Sequence, residues 1–264
     1  MKISVITVCF NAEKEIEKTL RSVIGQTYRD FEYIVVDGKS TDHTLEIIQR
    51  YSDRITCIIS EPDTGIYNAM NKGVRWAKGE YCLFMNAGDT FANTQALQLA
   101  SLFLNDGFDV LVGREISMKD GKIIDYVYPP QEITPMHLYR SSLSHQSAFI
   151  RREALLRYPY DETLRLVSDW KFWIEALLVN HLKYRAIDVD VSCFNHDGMT
   201  YTQIDLGKRE RKLVMETCMP KEMLEACRKE AKRFSMKWQL YRVKRRMKRI
   251  ANLKRLANYN MEWY

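Results

Sequence analysis

The chain has 264 residues, 46% of them hydrophobic, with 40 Lys and Arg against 34 Asp and Glu. That length supports one good core and a small appendage. The net charge of +6 hides a split: residues 1–206 carry 22 basic and 28 acidic side chains, net −6, whereas residues 207–264 carry 18 and 6, net +12. An acidic body of 1–206 and a basic extension of 207–264 are expected. The six cysteines, at 9, 57, 82, 193, 218 and 227, form no C-x-x-C pair and read as the packed, reduced thiols of a cytoplasmic protein. No apolar run reaches about eighteen residues, and strand-like Lys2–Cys9 stands where a basic and apolar leader would be, so neither a membrane span nor a secretion signal is expected.

Ile3–Cys9 is β-branched and apolar throughout, as in a strand buried on both faces. Helix Glu13–Gln26, strand Phe31–Val36, helix Thr44–Tyr51, strand Ile55–Ile59, helix Ile66–Lys78 and strand Tyr81–Met85 follow, a βαβαβαβ order that predicts a mainly parallel central sheet flanked by helices. Ser40-Thr41-Asp42 offers caps ahead of Thr44, and Lys78-Gly79 reads as a basic last turn with a C′ glycine. The pattern then loosens into a helix near Thr94–Leu104, strand Val110–Arg114 and a hairpin around Asp120-Gly121. After Pro129-Pro130 come strand Ala148–Arg151, helix Ser168–Leu178 and strand Tyr184–Val191.

In open α/β sheets ligands bind beyond the carboxyl ends of the strands, which makes the strand tips the informative residues. Two tips are acidic: Asp37 ends the second strand, and Asn86-Ala87-Gly88-Asp89 follows the fourth. Two such acids suggest a site for a metal ion and something phosphorylated. Thr7 to Asn11, with Phe10 among them, and Asp37 to Asp42 put short polar groups around an apolar ring face, which suits a nucleoside. Glu61 to Asn71 opens a helix as a third wall, with Gly65 allowing tight entry and Asp63 placed as a cap or base contact.

The stretches SVITVCFNAEKEIEKTLRSVIGQTYRDFEYIVVDGKSTDHT, EPDTGIYNAMNKGVRWAKGEYCLFMNAGD, LSHQSAFIRREAL and SDWKFW together resemble the family 2 glycosyltransferases, inverting enzymes of the GT-A fold, and especially the bacterial branch that builds cell-surface polysaccharides. The resemblance covers about residues 1–200. It implies that Thr7, Asn11, Glu13, Asp37 and Asp63 line the nucleoside pocket of a nucleotide-diphosphate sugar. Asn86 to Asp89 take the place of the DXD-type metal motif, with Asp89 binding Mg²⁺ or Mn²⁺ across the two phosphates. Asn86 stands where a carboxylate is common and Gly88 where a second often lies, which leaves fewer charges for a metal. The resemblance further implies that Asp169 deprotonates the acceptor hydroxyl, that His145 and Gln146 form the acceptor side, and that His196 contacts phosphate or adds a metal ligand. UDP is the favoured nucleotide because Asp63 resembles a uracil-contacting position; GDP and dTDP stay open.

From Glu222 to Tyr259 apolar residues recur at helical spacing with Lys and Arg between them, predicting a basic amphipathic helix or helix pair. It suits an anionic membrane surface beside a lipid-linked acceptor; packing on the body or on a second subunit of a homodimer is the alternative. A sugar-nucleotide nucleotidyltransferase would need a glycine-rich basic loop after the first strand, where Cys9-Phe10-Asn11-Ala12-Glu13 has none. A nucleic-acid-binding role is disfavoured because the motif-rich body is acidic.

Overall fold

The structure, a computed structural model, describes residues 1–104, 107–119, 121–195 and 203–233. Strands β1 (Ile3–Cys9), β2 (Phe31–Asp37), β3 (Cys57–Ser60) and β4 (Tyr81–Phe84) lie in the order β3-β2-β1-β4, all parallel, joined through helices α1 (Ile16–Ile24), α2 (Thr44–Gln49) and α3 (Ile66–Trp76). Every residue of β1 is buried, so its polar members need internal partners. Ser4 Oγ donates to Glu32 Oε1 at 2.6 Å, and Thr7 Oγ1 donates to the Met85 carbonyl at 2.7 Å. Helix α1 buries Ile16, Leu20 and Val23, a stripe at helical spacing, against a core that includes Ile3, Val5 and Leu83.

Gly79 does not serve as the expected left-handed cap, since its φ is not positive and α3 ends at Trp76 with Ala77 extended. It is needed for close approach: a Cβ there would stand 2.6 Å from both the Ile3 carbonyl carbon and the Ser4 nitrogen. The carboxylate of Glu32, 3% exposed, accepts the backbone N–H groups of Lys78 and Gly79 and closes that junction.

Beyond β4 the sheet becomes mixed. The later elements are β5 (Thr90–Phe91), α4 (Ala96–Ser101), β6 (Val110–Lys119), β7 (Lys122–Val127), α5 (Pro135–Arg140), β8 (Ala148–Arg151), α6 (Arg152–Arg157), α7 (Ser168–Trp173), β9 (Tyr184–Asn195) and α8 (Ile204–Cys218). β8 lies between β4 and β6, antiparallel to both; β9 runs parallel to β6, and β5 and β7 are antiparallel additions on β9 and β6. Because β8 runs against β4, the loop entering β8 arrives at the edge where β4 exits. The expected helix Ser168–Leu178 is α-helical only to Trp173 and continues as a π-helical segment, Ile174–Val179.

Tertiary contacts divide the chain into two compact units, Met1–Met219 and Pro220–Tyr264. The sheet and helices α1 to α8 all belong to the first. In the second, residues 221–233 are helical; the rest of the expected amphipathic stretch, and His196, lie outside the described residues. The six thiols are free, with Cys9, Cys82 and Cys227 buried. Among the described residues no helix is long and apolar enough to cross a membrane.

Candidate active site

Two cavities open at the carboxyl edge of β1, β2 and β4. The larger, about 920 Å³, is bordered by Phe10, Gly38, Asp63, Gly65 and Leu206. The smaller, about 440 Å³, is bordered by Tyr67, Asp89, His145, Gln146 and Asp169. Ile66, Asn86, Ala87, Arg165 and Leu166 line both, so the cavities adjoin along that seam.

At the larger cavity Phe10 is 59% exposed at the tip of β1, an aromatic face open to a stacking partner. Asp63 Oδ1 accepts the Gly65 N–H at 2.9 Å, a turn ahead of α3 rather than a helix cap, since Gly65 itself holds the N-cap position and no side chain caps the helix. A Cβ on Gly38 would lie 2.3 Å from Asp63 Oδ2 and 3.3 Å from the Phe10 ring, so the bare backbone at the end of β2 lets these two side chains converge. Asn11, at φ 48°, and Glu13 work differently from the expectation: Asn11 Oδ1 accepts from Thr41 N at 2.9 Å and Glu13 Oε2 from His43 N at 3.2 Å. They stitch the loop after β1 to the loop after β2. Asp37 is fully buried and accepts from Ser40 N, Ser40 Oγ and Ser60 Oγ. Thr7 is fully buried too, its hydroxyl turned to Met85 and Tyr33. Both stand behind the cavity wall rather than on it.

At the smaller cavity Asp169, in the first turn of α7, is held at both oxygens. Tyr67 donates its hydroxyl to Oδ1 at 2.9 Å, and His145 Nδ1 lies 3.1 Å from Oδ2. Burial pushes the Asp169 carboxyl up, but the His145 hydrogen bond and charge and the Tyr67 hydroxyl together hold it below the ordinary carboxylate range. Burial pulls the His145 imidazole down, and the Asp169 bond and charge, with Asp89 and Glu115 nearby, raise it on balance. Both shifts reflect the hydrogen bond that the His145 ring makes through Nδ1 to the Asp169 carboxylate. The Asn86 amide nitrogen lies 3.2 Å from His145 Nε2, and Asn86 Oδ1 is buried with no partner. The loop before His145 is anchored by Glu115, 6% exposed, which accepts from the Ser144 hydroxyl.

Asp89 is 6% exposed, and burial pushes its carboxyl up to about 7, with His145 pulling it back down and Glu115 adding to the rise. The turn that presents it is fixed from α1: Thr19 Oγ1 donates to the Asp89 carbonyl at 2.8 Å and accepts from Gly88 N at 3.0 Å. Gln146 is buried and borders the same cavity. The structure therefore brings together Asn86, Asp89, His145, Gln146 and Asp169 in one place, and Phe10, Asp63 and Gly65 in the adjoining one.

Three participants carry no sequence signal of their own. Tyr67 reaches Asp169 across 102 positions of chain. Arg165 borders both cavities, its Nη1 donating to the Thr64 carbonyl at 3.0 Å. Glu210 of α8, 8% exposed, accepts the backbone N–H groups of Arg165 at 2.8 Å and Leu166 at 2.9 Å. Such long-range partners leave no spacing to read.

A sheet that is parallel on one side of a seam, with a roomy cavity at its strand tips and a half-buried carboxylate–imidazole pair next to it, is the architecture of an α/β protein that binds ligands at the carboxyl ends of its strands. A model of glycosyl transferase family 2 matches residues 4–155, more than half the chain, and the chain belongs to that family. Among curated relatives, a PGL/p-HBAD biosynthesis glycosyltransferase of Mycobacterium bovis is 29% identical over 76% of this chain and 80% of the relative. A UDP-Glc:alpha-D-GlcNAc-diphosphoundecaprenol beta-1,3-glucosyltransferase of Escherichia coli, WfgD, is 26% identical over 68% and 71%. Among solved structures, S. aureus TarS 1-349 in complex with UDP-GlcNAc aligns with a TM-score of 0.68 at 23% identity, covering 86% of this chain and 70% of that one. The mannosyltransferase PcManGT of Pyrobaculum calidifontis, in complex with GDP-Man and Mn²⁺, aligns at 0.60 with 19% identity over 80% and 60%. The GT-A fold expected from the sequence is the fold of these neighbours.

Proposed function

We propose that the chain transfers a sugar, with inversion, from a nucleotide-diphosphate donor, UDP-linked by preference, to a hydroxyl of a saccharide or lipid-linked saccharide in cell-surface polysaccharide synthesis. The observation that carries this reading is Asp169: a half-buried carboxylate, held on both oxygens by Tyr67 and His145, in a cavity that adjoins the larger one at the strand tips. Each carboxylate oxygen has a second lone pair, so the acceptor hydroxyl can still hydrogen-bond to it. In the transfer, Asp169 takes the proton from the acceptor oxygen as that oxygen bonds to the anomeric carbon. The bond from that carbon to the diphosphate breaks, and its electron pair leaves with the nucleoside diphosphate. His145 keeps the carboxylate aligned, and Gln146 stands beside it on the acceptor side. Supporting the substrate class, the similar WfgD is named for a UDP-Glc donor and a diphosphoundecaprenol acceptor, and the TarS neighbour holds UDP-GlcNAc.

A divalent cation, Mg²⁺ or Mn²⁺, fits the donor set in a restricted way. Asp89 forms no ion pair among the described residues, and Asn86 Oδ1 is a buried acceptor without a partner. No cluster of three His, Cys, Asp or Glu side chains able to hold a metal occurs among the described residues. Asp89 would thus be its protein carboxylate, with phosphate and water oxygens completing the shell, as is common for Mg²⁺. Bound, the cation would neutralise part of the diphosphate charge. We place the enzyme at the cytoplasmic face of a membrane, because a lipid-linked acceptor resides there and the extension of 207–264 carries a net +12.

The test is Asp169→Asn with donor binding and turnover measured separately. Turnover falls by roughly 10² or more while donor affinity holds, as for loss of a general base. Near-normal turnover would remove Asp169 from the mechanism.

A further inference from the structure

The seam between the two cavities is bordered by Asn86, Ile66, Ala87, Leu166 and one strong cation, Arg165. Its guanidinium carries five N–H donors. One nitrogen, Nη1, meets the Thr64 carbonyl at 3.0 Å, and no carboxylate pairs with the group among the described residues. The backbone beneath it is fixed, since the buried Glu210 carboxylate accepts from both Arg165 N and Leu166 N. Gly65, at φ 140°, keeps the opposite side clear: a Cβ there would stand 3.1 Å from Arg165 Nη1. The result is an anchored main chain that presents a largely unengaged guanidinium to both cavities.

The charge around it is of the wrong sign for a diphosphate. Asp63 borders one cavity, while Glu15 and Asp169 border the other. The His145 ring is committed to Asp169 at 3.1 Å. A turn reading Asn86-Ala87-Gly88-Asp89 brings a single carboxylate to any metal, so the cation there is weakly held. A nucleotide sugar spanning the larger cavity and the seam therefore meets Arg165 with its phosphates.

Resting on the proposed glycosyl transfer, we infer that Arg165 binds the diphosphate of the donor at this seam and stabilises the nucleoside diphosphate as it departs. When the sugar–oxygen bond breaks, its electron pair stays on the terminal phosphate oxygen, and no proton is required there. The planar guanidinium offers paired N–H donors that match two phosphate oxygens, and these interactions strengthen as the charge develops. Arg165 is thus a binding and catalytic residue supplied by the loop before α7, clamped from α8.

The experiment is calorimetric titration of the full chain, in EDTA so that no metal contributes, with uridine, UMP and UDP. It compares the unmodified protein with Arg165→Ala and Arg165→Lys; guanosine or thymidine series replace uridine if the unmodified chain selects those bases. Expected for Arg165→Ala is a loss of UDP affinity of about ten- to a hundredfold, the range of one charge-assisted contact, with uridine changed less than about twofold. The lysine variant recovers part of the UDP affinity but not all. Equal UDP affinity in the alanine variant overturns the inference. So does a parallel loss for uridine, which would make Arg165 a strut for the Thr64-Gly65 backbone. An unmodified chain that binds none of UDP, GDP or dTDP, in EDTA or with Mn²⁺, overturns the transfer reading itself and this inference with it.

Discussion

Glu210 is a single side chain on which the roof of the site depends. Its two oxygens accept the backbone N–H groups of Arg165 and Leu166 at 2.8 and 2.9 Å, and the residue is 8% exposed. Glu210→Ala removes both acceptors and leaves two N–H groups with only partial access to water. Hydrogen bonds to a charged group contribute about 1.5–3 kcal/mol each, and because the two share one carboxylate we take about 3 kcal/mol for the pair. A domain of this size loses about 2–4 °C of Tm per kcal/mol, so a fall of about 6–12 °C is expected. Glu210→Gln should sit between, because its carbonyl oxygen accepts one N–H while its amide nitrogen faces the other, donor against donor. Urea unfolding followed by fluorescence measures the difference, and titration with UDP reads the consequence for the loop that carries Arg165. A Glu210→Ala protein within about 0.5 kcal/mol of the parent, the level of an ordinary surface change, would refute the clamp.

The pH dependence of transfer tests the Tyr67 contact. Its hydroxyl stabilises the charged form of Asp169, so Tyr67→Phe raises that carboxyl, and the acid limb of kcat/KM moves to higher pH; an unmoved limb would show that Tyr67 only fills space. Asp89 behaves oppositely. Raised from 3.8 to about 7 by burial, it stays protonated in the folded chain while the unfolded chain ionises, so stability is full below pH 3.8 and is lost as pH climbs to about 7. Asp89→Asn, which cannot ionise, should therefore gain on the parent between pH 5 and 8, with a ceiling of about 4 kcal/mol from that gap. Urea unfolding of both proteins at the two pH values checks it, and a constant difference sinks it. At the larger cavity, Gly38→Ala puts a methyl 2.3 Å from Asp63 Oδ2 and displaces that carboxylate. Uridine affinity should drop about tenfold, the equivalent of roughly 1.4 kcal/mol, and unchanged affinity would take Asp63 out of the nucleoside wall.

The parallel half of the sheet was legible because Ile3–Cys9, Phe31–Val36 and Tyr81–Met85 are apolar runs separated by helices with clear stripes. Their tips therefore pointed to Asp37, Asn86 and Asp89, and the helix opening at Glu61 to Asn71 pointed to Asp63, before any contact was known. A polar residue near a strand end reads as lining whichever way it turns, and Thr7 and Asp37 turn inward to Met85, Tyr33, Ser40 and Ser60 and border neither cavity. Past residue 89 the pattern weakens, since β5 is two residues long and exists only through its pairing with β9. β9 itself runs on to Asn195 because its end pairs with Glu115 to Met118 of β6. The pairing of His145 with Asp169 joins two motifs that were each read alone, and the links of Tyr67 to Asp169 and of Glu210 to the Arg165 loop span 102 and about 45 positions, so only folding reveals them.

The reversal of strand direction at β4 and β8 has a practical outcome. On one side of that line the larger cavity takes most of its lining from loops that leave parallel strands within residues 1–89, with Arg165, Leu166, Gln203 and Leu206 added from later in the chain; on the other, His145 and Gln146 arrive on a loop entering an antiparallel strand. Redesign of which sugar is extended then has a natural boundary. On the proposed transfer, libraries aimed at a new acceptor belong in residues 130–164, around the approach to β8, while Arg165, Asp169 and the strand-tip loops within residues 1–89 are left untouched. Chimeras that exchange the two segments at β4 are a compact way to recombine donor and acceptor preferences.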